Sequence, residues 1–167
     1  MHNELTAVDI KKMQEEIDYR ATELRPKLLA EVKRTREYGD LSENAEYKEA
    51  KREKNRNESR IRYLKSMIAT AKVVEAGGED GVIGLFDFAE IFYEMNGQTK
   101  KIQIVTTLRQ DATKGFISKE SPLGKALLGK KAGDRVTVTV SPERNFTVVV
   151  KSVERGEDNE DLPISSY

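Results

Sequence analysis

The sequence predicts an α+β chain, in which a long N-terminal antiparallel coiled-coil hairpin precedes a mainly antiparallel β-sheet domain with one short helix. Apolar residues recur every three or four positions through the first seventy or so residues. Gly77 and Gly78 among acidic residues then break that rhythm, and segments rich in Val, Ile and Thr follow between turn signals. These shifts divide the chain into a hairpin over 1–75, a linker over 76–80, a sheet domain over 81–155 and a polar acidic tail over 156–167.

The first helix is predicted from Val8 to Glu37, a stretch rich in helix formers. Ile10, Met13, Ile17, Leu24, Leu28 and Val32 make one narrow apolar seam along it. Asp9 can cap its start, and Pro26, which lacks an amide donor, predicts a bend or a fresh start near Leu24–Pro26.

Gly39, Asp40, Leu41 and Ser42 interrupt the pattern. Ser42 is the expected cap of a second helix running from about Glu43 to Val73. Tyr47, Ala50, Lys54, Asn57, Ile61, Leu64, Ile68 and Ala71 give that helix a seam able to zip against the first. Lys54 and Asn57 are polar seam residues, which weaken packing but can specify register. Helices of about thirty residues at ~1.5 Å rise extend on the order of 45 Å, so the turn between them is carried far from the hairpin's base.

Strand-forming composition marks 82–93, 102–108, 115–118, 135–140 and 146–153, with turn signals at Asn96-Gly97, Gly133-Asp134 and Ser141-Pro142. Ser121 as cap and Pro122 at the first helical position predict a short helix within 121–131. The acidic residues from Glu157 onward read as a loose tail.

Composition excludes several functions. The 29 basic and 29 acidic residues cancel, which gives no argument for wholesale binding to nucleic acid or to an anionic membrane. Without cysteine and with His2 alone, the chain has no disulfide, no thiolate metal site and little material for zinc. The first twenty residues lack the pattern of a signal peptide, and no long apolar stretch follows, so a cytoplasmic protein without a membrane partner is expected. The sheet domain offers no catalytic triad and no nucleotide-binding glycine fingerprint.

Chemistry is concentrated at the hairpin turn. Acidic groups at a turn and a first helical turn often serve solvation and the helix dipole alone. At the end of a long probe, however, Asp40 and Glu43 are also a portable half of a divalent-metal site. Two carboxylates hold Mg²⁺ only weakly, because that ion keeps waters and takes further oxygen ligands. If a partner already holds one Mg²⁺, the visiting pair can steady a second and orient water for phosphodiester hydrolysis. Asn44 and Glu46 flank the pair: helix capping and hydration suit both, and Asn44 can also orient an acidic ligand.

Behind the tip, Lys48, Lys51, Arg52, Lys54, Arg56, Arg60, Arg62 and Lys65 face only Glu49, Glu53 and Glu58. A solvated helical face accounts for this. So does a stripe that holds RNA phosphates without reading sequence, which Arg34 and Arg36 can join.

The run Gly39-Asp40-Leu41-Ser42-Glu43-Asn44-Ala45-Glu46-Tyr47, with Ala50, resembles the tip signature of the bacterial GreA/GreB transcript-cleavage factors. Ile117-Ser118, the run from Ser121 to Lys130, and Gly133-Asp134 resemble the signature of that family's C-terminal domain. The resemblance spans roughly Asp9 to Val153 and implies an FKBP-like C-terminal fold, to which prolyl isomerase activity does not carry over. It implies a non-enzymatic accessory factor whose hairpin enters the secondary channel of bacterial RNA polymerase; the hairpin's internal seam gives no need for a dimer, so a monomer is expected. There Asp40 and Glu43 would help hold the second Mg²⁺ of the polymerase active centre over backtracked RNA, with Asn44 and Glu46 supporting and Arg34, Arg36, Lys48, Lys51, Arg52, Lys54, Arg56 and Arg60 near the RNA. Ser121, Pro122, Gly129, Gly133 and Asp134 would belong to the polymerase-binding surface. Two other readings are a Gre-like inhibitor using the same channel and an RNA-binding adaptor without catalytic effect.

Overall fold

In a computed structural model of the chain, which describes residues 3–37 and 44–165, the first helix is one helical run with a change of pitch in its middle. β1 (Glu4–Leu5) precedes α1 (Ala7–Tyr19), which passes through a π-helical stretch, Arg20–Leu24, into α2 (Arg25–Arg36). The bend expected at Leu24–Pro26 takes this form for a physical reason. Pro26 has no N–H for the carbonyl four residues back, and its ring would strike that carbonyl in a regular turn. In the wider turn the Arg25 N–H reaches back to Arg20 O, and Pro26 falls in the first turn of α2, where no donor is required.

Asp9 contributes to the start of α1 as one half of a capping box. Thr6 Oγ1 accepts from Asp9 N at 3.2 Å, and Asp9 Oδ2 accepts from Thr6 N at 3.0 Å. The second helix, α3 (Ala45–Ala69), is capped by Asn44. Ser42, the cap expected from sequence, lies outside the described residues. α3 ends before Val73 because Lys72–Val73 forms β2, parallel to β1. Met13 and Ile17 on the first helical run and Ala50, Ile61 and Leu64 on α3 are buried, whereas Leu24, Leu28, Val32 and Tyr47 are half-buried.

The chain divides into two units, the hairpin from Ile10 to Ala71 and a second unit that gathers the N-terminal stretch to Asp9 with the chain from Lys72 onward. The second unit is built on a five-stranded sheet of β3 (Phe88–Tyr93), β4 (Gln98–Val105), β5 (Phe116–Ser118), β6 (Arg135–Ser141) and β7 (Arg144–Glu154), in the order β5-β4-β3-β7-β6. Three pairings are antiparallel, as expected. The edge pair β4–β5 is parallel, so the sheet is mixed. Alternation puts Ala89, Ile91, Ile102, Ile104, Val136, Val138, Val148 and Val150 in one core, against which α4 (Pro122–Leu127) lays Leu127. Gly124 lets α4 come this close, since a Cβ there would collide with Ser118 O.

Three sequence expectations change. Residues 82–87 do not extend β3: this stretch turns, with Phe86 at φ 69 and Asp87 Oδ2 accepting from Gly84 N at 2.9 Å. The end of 102–108 is a 3₁₀ turn, Thr107–Arg109, instead of strand. The tail is fastened. Asp158 and the Asn159 carbonyl bind Arg109, Leu162 packs on Leu85, Phe86 and Val105, and Ser165 Oγ donates to Leu108 O at 2.8 Å. One of its acids, Asp158, serves a buried cation, which composition alone does not reveal.

Candidate functional site

At the distal end of the hairpin, one amide ties the two helices together. Asn44 Oδ1 accepts from Tyr47 N at 3.0 Å, capping α3, while Asn44 Nδ2 donates at 2.8 Å to the carbonyl of buried Thr35 on α2. Thr35 Oγ1 donates back to Glu31 O at 2.9 Å, which satisfies its hydroxyl inside the helix. The segment that holds Asp40 and Glu43 leaves at Glu37 and returns at Asn44. Asp40 and Glu43 themselves lie outside the described residues.

Asn44→Ala removes a cap and a cross-hairpin bond together. It should cost about 1–2 kcal/mol of hairpin stability, the upper part of the range for a cap. Loss of helical circular dichroism in a urea titration measures this, and a Ser replacement should recover the cap portion only.

Around this clamp Arg34 donates from Nε to Glu31 Oε2 at 2.9 Å, with Glu46 3.9 Å away across the hairpin. The Arg36 guanidinium stands 5.8 Å from the Tyr47 ring centroid. A hydrogen bond from Arg36 holds the Tyr47 phenol below its ordinary pKa; burial opposes this, and the charges of Lys51, Arg36 and Lys54 add to it. Glu46 is mostly exposed in the first turn of α3, where the helix dipole favours an acid.

The predicted basic stripe resolves into three kinds of residue. Lys48 and Lys51 are exposed and Lys54 half-buried, its charge adding to that of Arg25 in holding the Glu58 carboxyl low. Arg52 and Arg56 are exposed and bind Glu49 and Glu53, each at 2.6 Å. Such exposed pairs contribute roughly 0.2–1 kcal/mol, so a phosphate can compete for them.

Arg60 does not belong with these. It is 7% exposed and grips Glu16 through Nε at 2.7 Å and Nη2 at 3.2 Å, a bond across the hairpin that withdraws it from any phosphate. Burial raises the Glu16 carboxyl pKa, but hydrogen bonds from Arg60 and Arg20 outweigh it and hold the group below its ordinary value.

In the second unit the motif residues are turn-builders. Ser121 Oγ caps α4 by accepting from Gly124 N at 3.0 Å and itself donates to Ser118 O at 2.7 Å, with Pro122 following at the first position. Gly129 and Gly133 adopt φ 82 and 94, and Asp134 Oδ2 accepts from Lys131 N at 2.8 Å. Only Ser121 and Pro122 of this group line the apolar groove beside α4, a space of about 280 Å³ bounded also by Phe116, Leu123, Val138 and Phe146. Sequence reading missed this groove, whose one local signal is the pair of aromatic residues at 116 and 146.

Among the described residues no cluster of His, Cys, Asp or Glu is arranged to hold a metal by itself, and no helix is long and apolar enough to cross a membrane.

A helical hairpin with a clamped end, joined to a mixed sheet unit, defines the class of two-part factors to which the two sequence signatures point. Residues 3–73 match the family described as "Transcription elongation factor, N-terminal", and residues 79–155 match "Transcription elongation factor, GreA/GreB, C-term". The chain is 35% identical over 147 residues to the transcription elongation factor GreA of Bacillus subtilis, covering 88% of this chain and 94% of that one. To the GreA of Thermoanaerobacter pseudethanolicus it is 39% identical over 140 residues, covering 81% and 87%. Among solved structures, GreA factor homolog 1 of Thermus thermophilus aligns at 26% identity over 92% of this chain and 99% of that one, with a TM-score of 0.42. The chain belongs to the GreA/GreB family of transcription elongation factors.

Proposed function

We propose that this elongation factor binds bacterial RNA polymerase in the cytoplasm and inserts its hairpin through the secondary channel. There it stimulates the polymerase's own cleavage of backtracked RNA and so rescues arrested complexes. The observation that carries the reading is the Asn44 clamp: it holds together the two ends of a short segment whose acids are Asp40 and Glu43, and such a segment is built to present carboxylates to a partner.

Two hard oxygen donors suit Mg²⁺, and they are too few to retain it without a partner's ligands. A shared Mg²⁺ would supply the charge that activates water and steadies the leaving oxygen in phosphodiester hydrolysis. Asp40 and Glu43 contribute ligand oxygens, Asn44 fixes the ends of the segment that bears them, and Glu46 adds negative charge beside it. The polymerase is the enzyme, and this chain is a removable part of its site, acting as a monomer.

Lys48, Lys51, Arg52, Lys54 and Arg56, joined by Arg34 and Arg36, hold the backtracked RNA by its phosphates. The turns at Ser121-Pro122, Gly129 and Gly133-Asp134, with the apolar groove beside α4, form the surface that meets the polymerase. Neutralising Lys51, Arg52, Lys54 and Arg56 together should weaken engagement of RNA-bearing complexes. It should also flatten the salt dependence of engagement by about 0.7 in log–log slope for each phosphate no longer held. An unchanged slope would remove the stripe from the mechanism.

The test is a purified, deliberately backtracked polymerase complex with Mg²⁺ and labelled RNA. Release of 3′ fragments followed by renewed extension is expected. Binding with slowed extension and no fragments would make the chain an inhibitor instead, and tight binding to free RNA without polymerase would make it an adaptor.

A further inference from the structure

The hairpin seam contains a buried amide where an aliphatic side chain would pack. Asn57 is 3% exposed, in line with buried Ala50, Ile61 and Leu64, and both ends of its side chain bond to one residue of the opposite helix. Its Oδ1 accepts from Arg20 Nη1 at 3.0 Å, and its Nδ2 donates to Arg20 O at 3.2 Å. Arg20 opens the π-helical stretch, and the same carbonyl accepts the Arg25 N–H that closes the wide turn. Asn57 thus binds the backbone of the irregular turn itself.

Two ion pairs bracket this contact. On one side Arg60 reaches across to Glu16, which also takes Arg20 Nε at 2.7 Å. On the other, Arg25 binds Glu58 through two bonds of 2.9 Å.

A satisfied amide in a coiled-coil seam contributes less stability than leucine but restricts the helices to one register. Here there is something specific to restrict. The wide turn takes up an extra residue in the first helical run, and each residue of an α-helix is worth about 1.5 Å of rise and 100° of rotation. Where that residue is absorbed decides which part of α2 faces α3, and hence how Glu37 and Asn44 meet at the ends of the acidic segment.

We propose that Asn57, through its paired hydrogen bonds to Arg20 at the π-turn, is a positioning residue that sets the register of the distal hairpin and so the delivery of Asp40 and Glu43. The inference rests on the cleavage reading above and deepens it. Polar cross-hairpin bonds gather at this level because it is where the first helix could slip against the second.

The experiment compares Asn57→Leu, in the full chain, with the parent protein on backtracked polymerase complexes. Leucine should leave helix content unchanged and the melting temperature no lower. The factor concentration for half-maximal cleavage should stay unchanged, while the maximal cleavage rate falls on the order of 10²-fold, as a misplacement of about 1 Å or more can cause.

Because the chain has no cysteine, a Leu28→Cys/Ala50→Cys pair, at two residues lining one groove between α2 and α3, reads register directly through its disulfide yield. The yield should fall when Asn57→Leu is added, and the fraction that does oxidise should regain cleavage. A parental maximal rate in Asn57→Leu, an undiminished disulfide yield, or a rate loss matched by loss of melting temperature would overturn the proposal. Asp40→Ala serves as the separate control. If it cleaves normally, the tip reading fails; if it is inactive while Asn57→Leu is fully active, only the positioning role fails.

Discussion

Replacing Asp40 or Glu43 with alanine is expected to abolish most stimulated cleavage while polymerase binding is retained. Loss of an outer partner of a metal ligand already costs 10–100-fold in activity, so removing a ligand carboxylate should cost at least on the order of 10²-fold. The double variant should be little worse than either single one, because the two carboxylates act as a unit on one ion and removal of either leaves the other without purpose. Raising Mg²⁺ should recover part of the single-variant activity, since a weakened site still fills at higher concentration. Competition for polymerase between parent and variant separates binding from chemistry. If both replacements leave the fragment yield intact, the metal role passes to other residues.

The parts of this molecule that sequence revealed are those whose physics is local. A seam repeats every three or four residues because the helix does, so the burial of Met13, Ile17, Ala50, Ile61 and Leu64 could be read from spacing alone. Ser121-Pro122 marks the start of α4 for the same kind of reason, as one capping side chain followed by one fixed backbone angle.

What escaped was set by distant partners. Arg60 looked like its exposed neighbours until Glu16, 44 residues earlier, was found against it. Ser42 and Asn44 are both good caps by composition, and the choice of Asn44 depends on the Thr35 carbonyl across the hairpin, which its Nδ2 binds and a serine hydroxyl could not reach in the same way. Pro26 announced an irregularity, but nothing near it in sequence announced that Asn57 would meet the turn.

Arg109 is where this dependence on distant residues should have its largest effect on stability. Its side chain is fully buried, with Asp9, also fully buried, on one side and Asp158 on the other. Nη2 donates to Asp158 Oδ1 at 2.9 Å and Nη1 to Asn159 O at 3.0 Å, and the guanidinium lies 5.6 Å from the Phe86 ring centroid. Nε and Asp9 Oδ1 approach to 2.8 Å as charges, without the N–H direction of a hydrogen bond. Asp9 is further held by Thr106 Oγ1 at 2.8 Å.

Arg109→Met keeps most of the volume and removes the charge. It leaves Asp9 as a buried anion without its counter-ion, and breaking a buried pair from one side costs about 3–5 kcal/mol. The tail should detach with it, because Asp158 and the Asn159 carbonyl lose the only cation they share among the described residues. Asp158→Asn should cost much less: Asp9 still neutralises Arg109, and the side chain of Asp158 is partly open to water. Lys101→Met, which breaks an exposed pair with Glu154, should cost no more than about 1 kcal/mol. Urea unfolding of the sheet unit, followed by near-ultraviolet circular dichroism, ranks the three. Protease susceptibility after Arg155 should rise in Arg109→Met before global unfolding does. A small loss for Arg109→Met with a protected tail would mean that Leu162 and Ser165, not the ion pairs, hold the C-terminal segment in place.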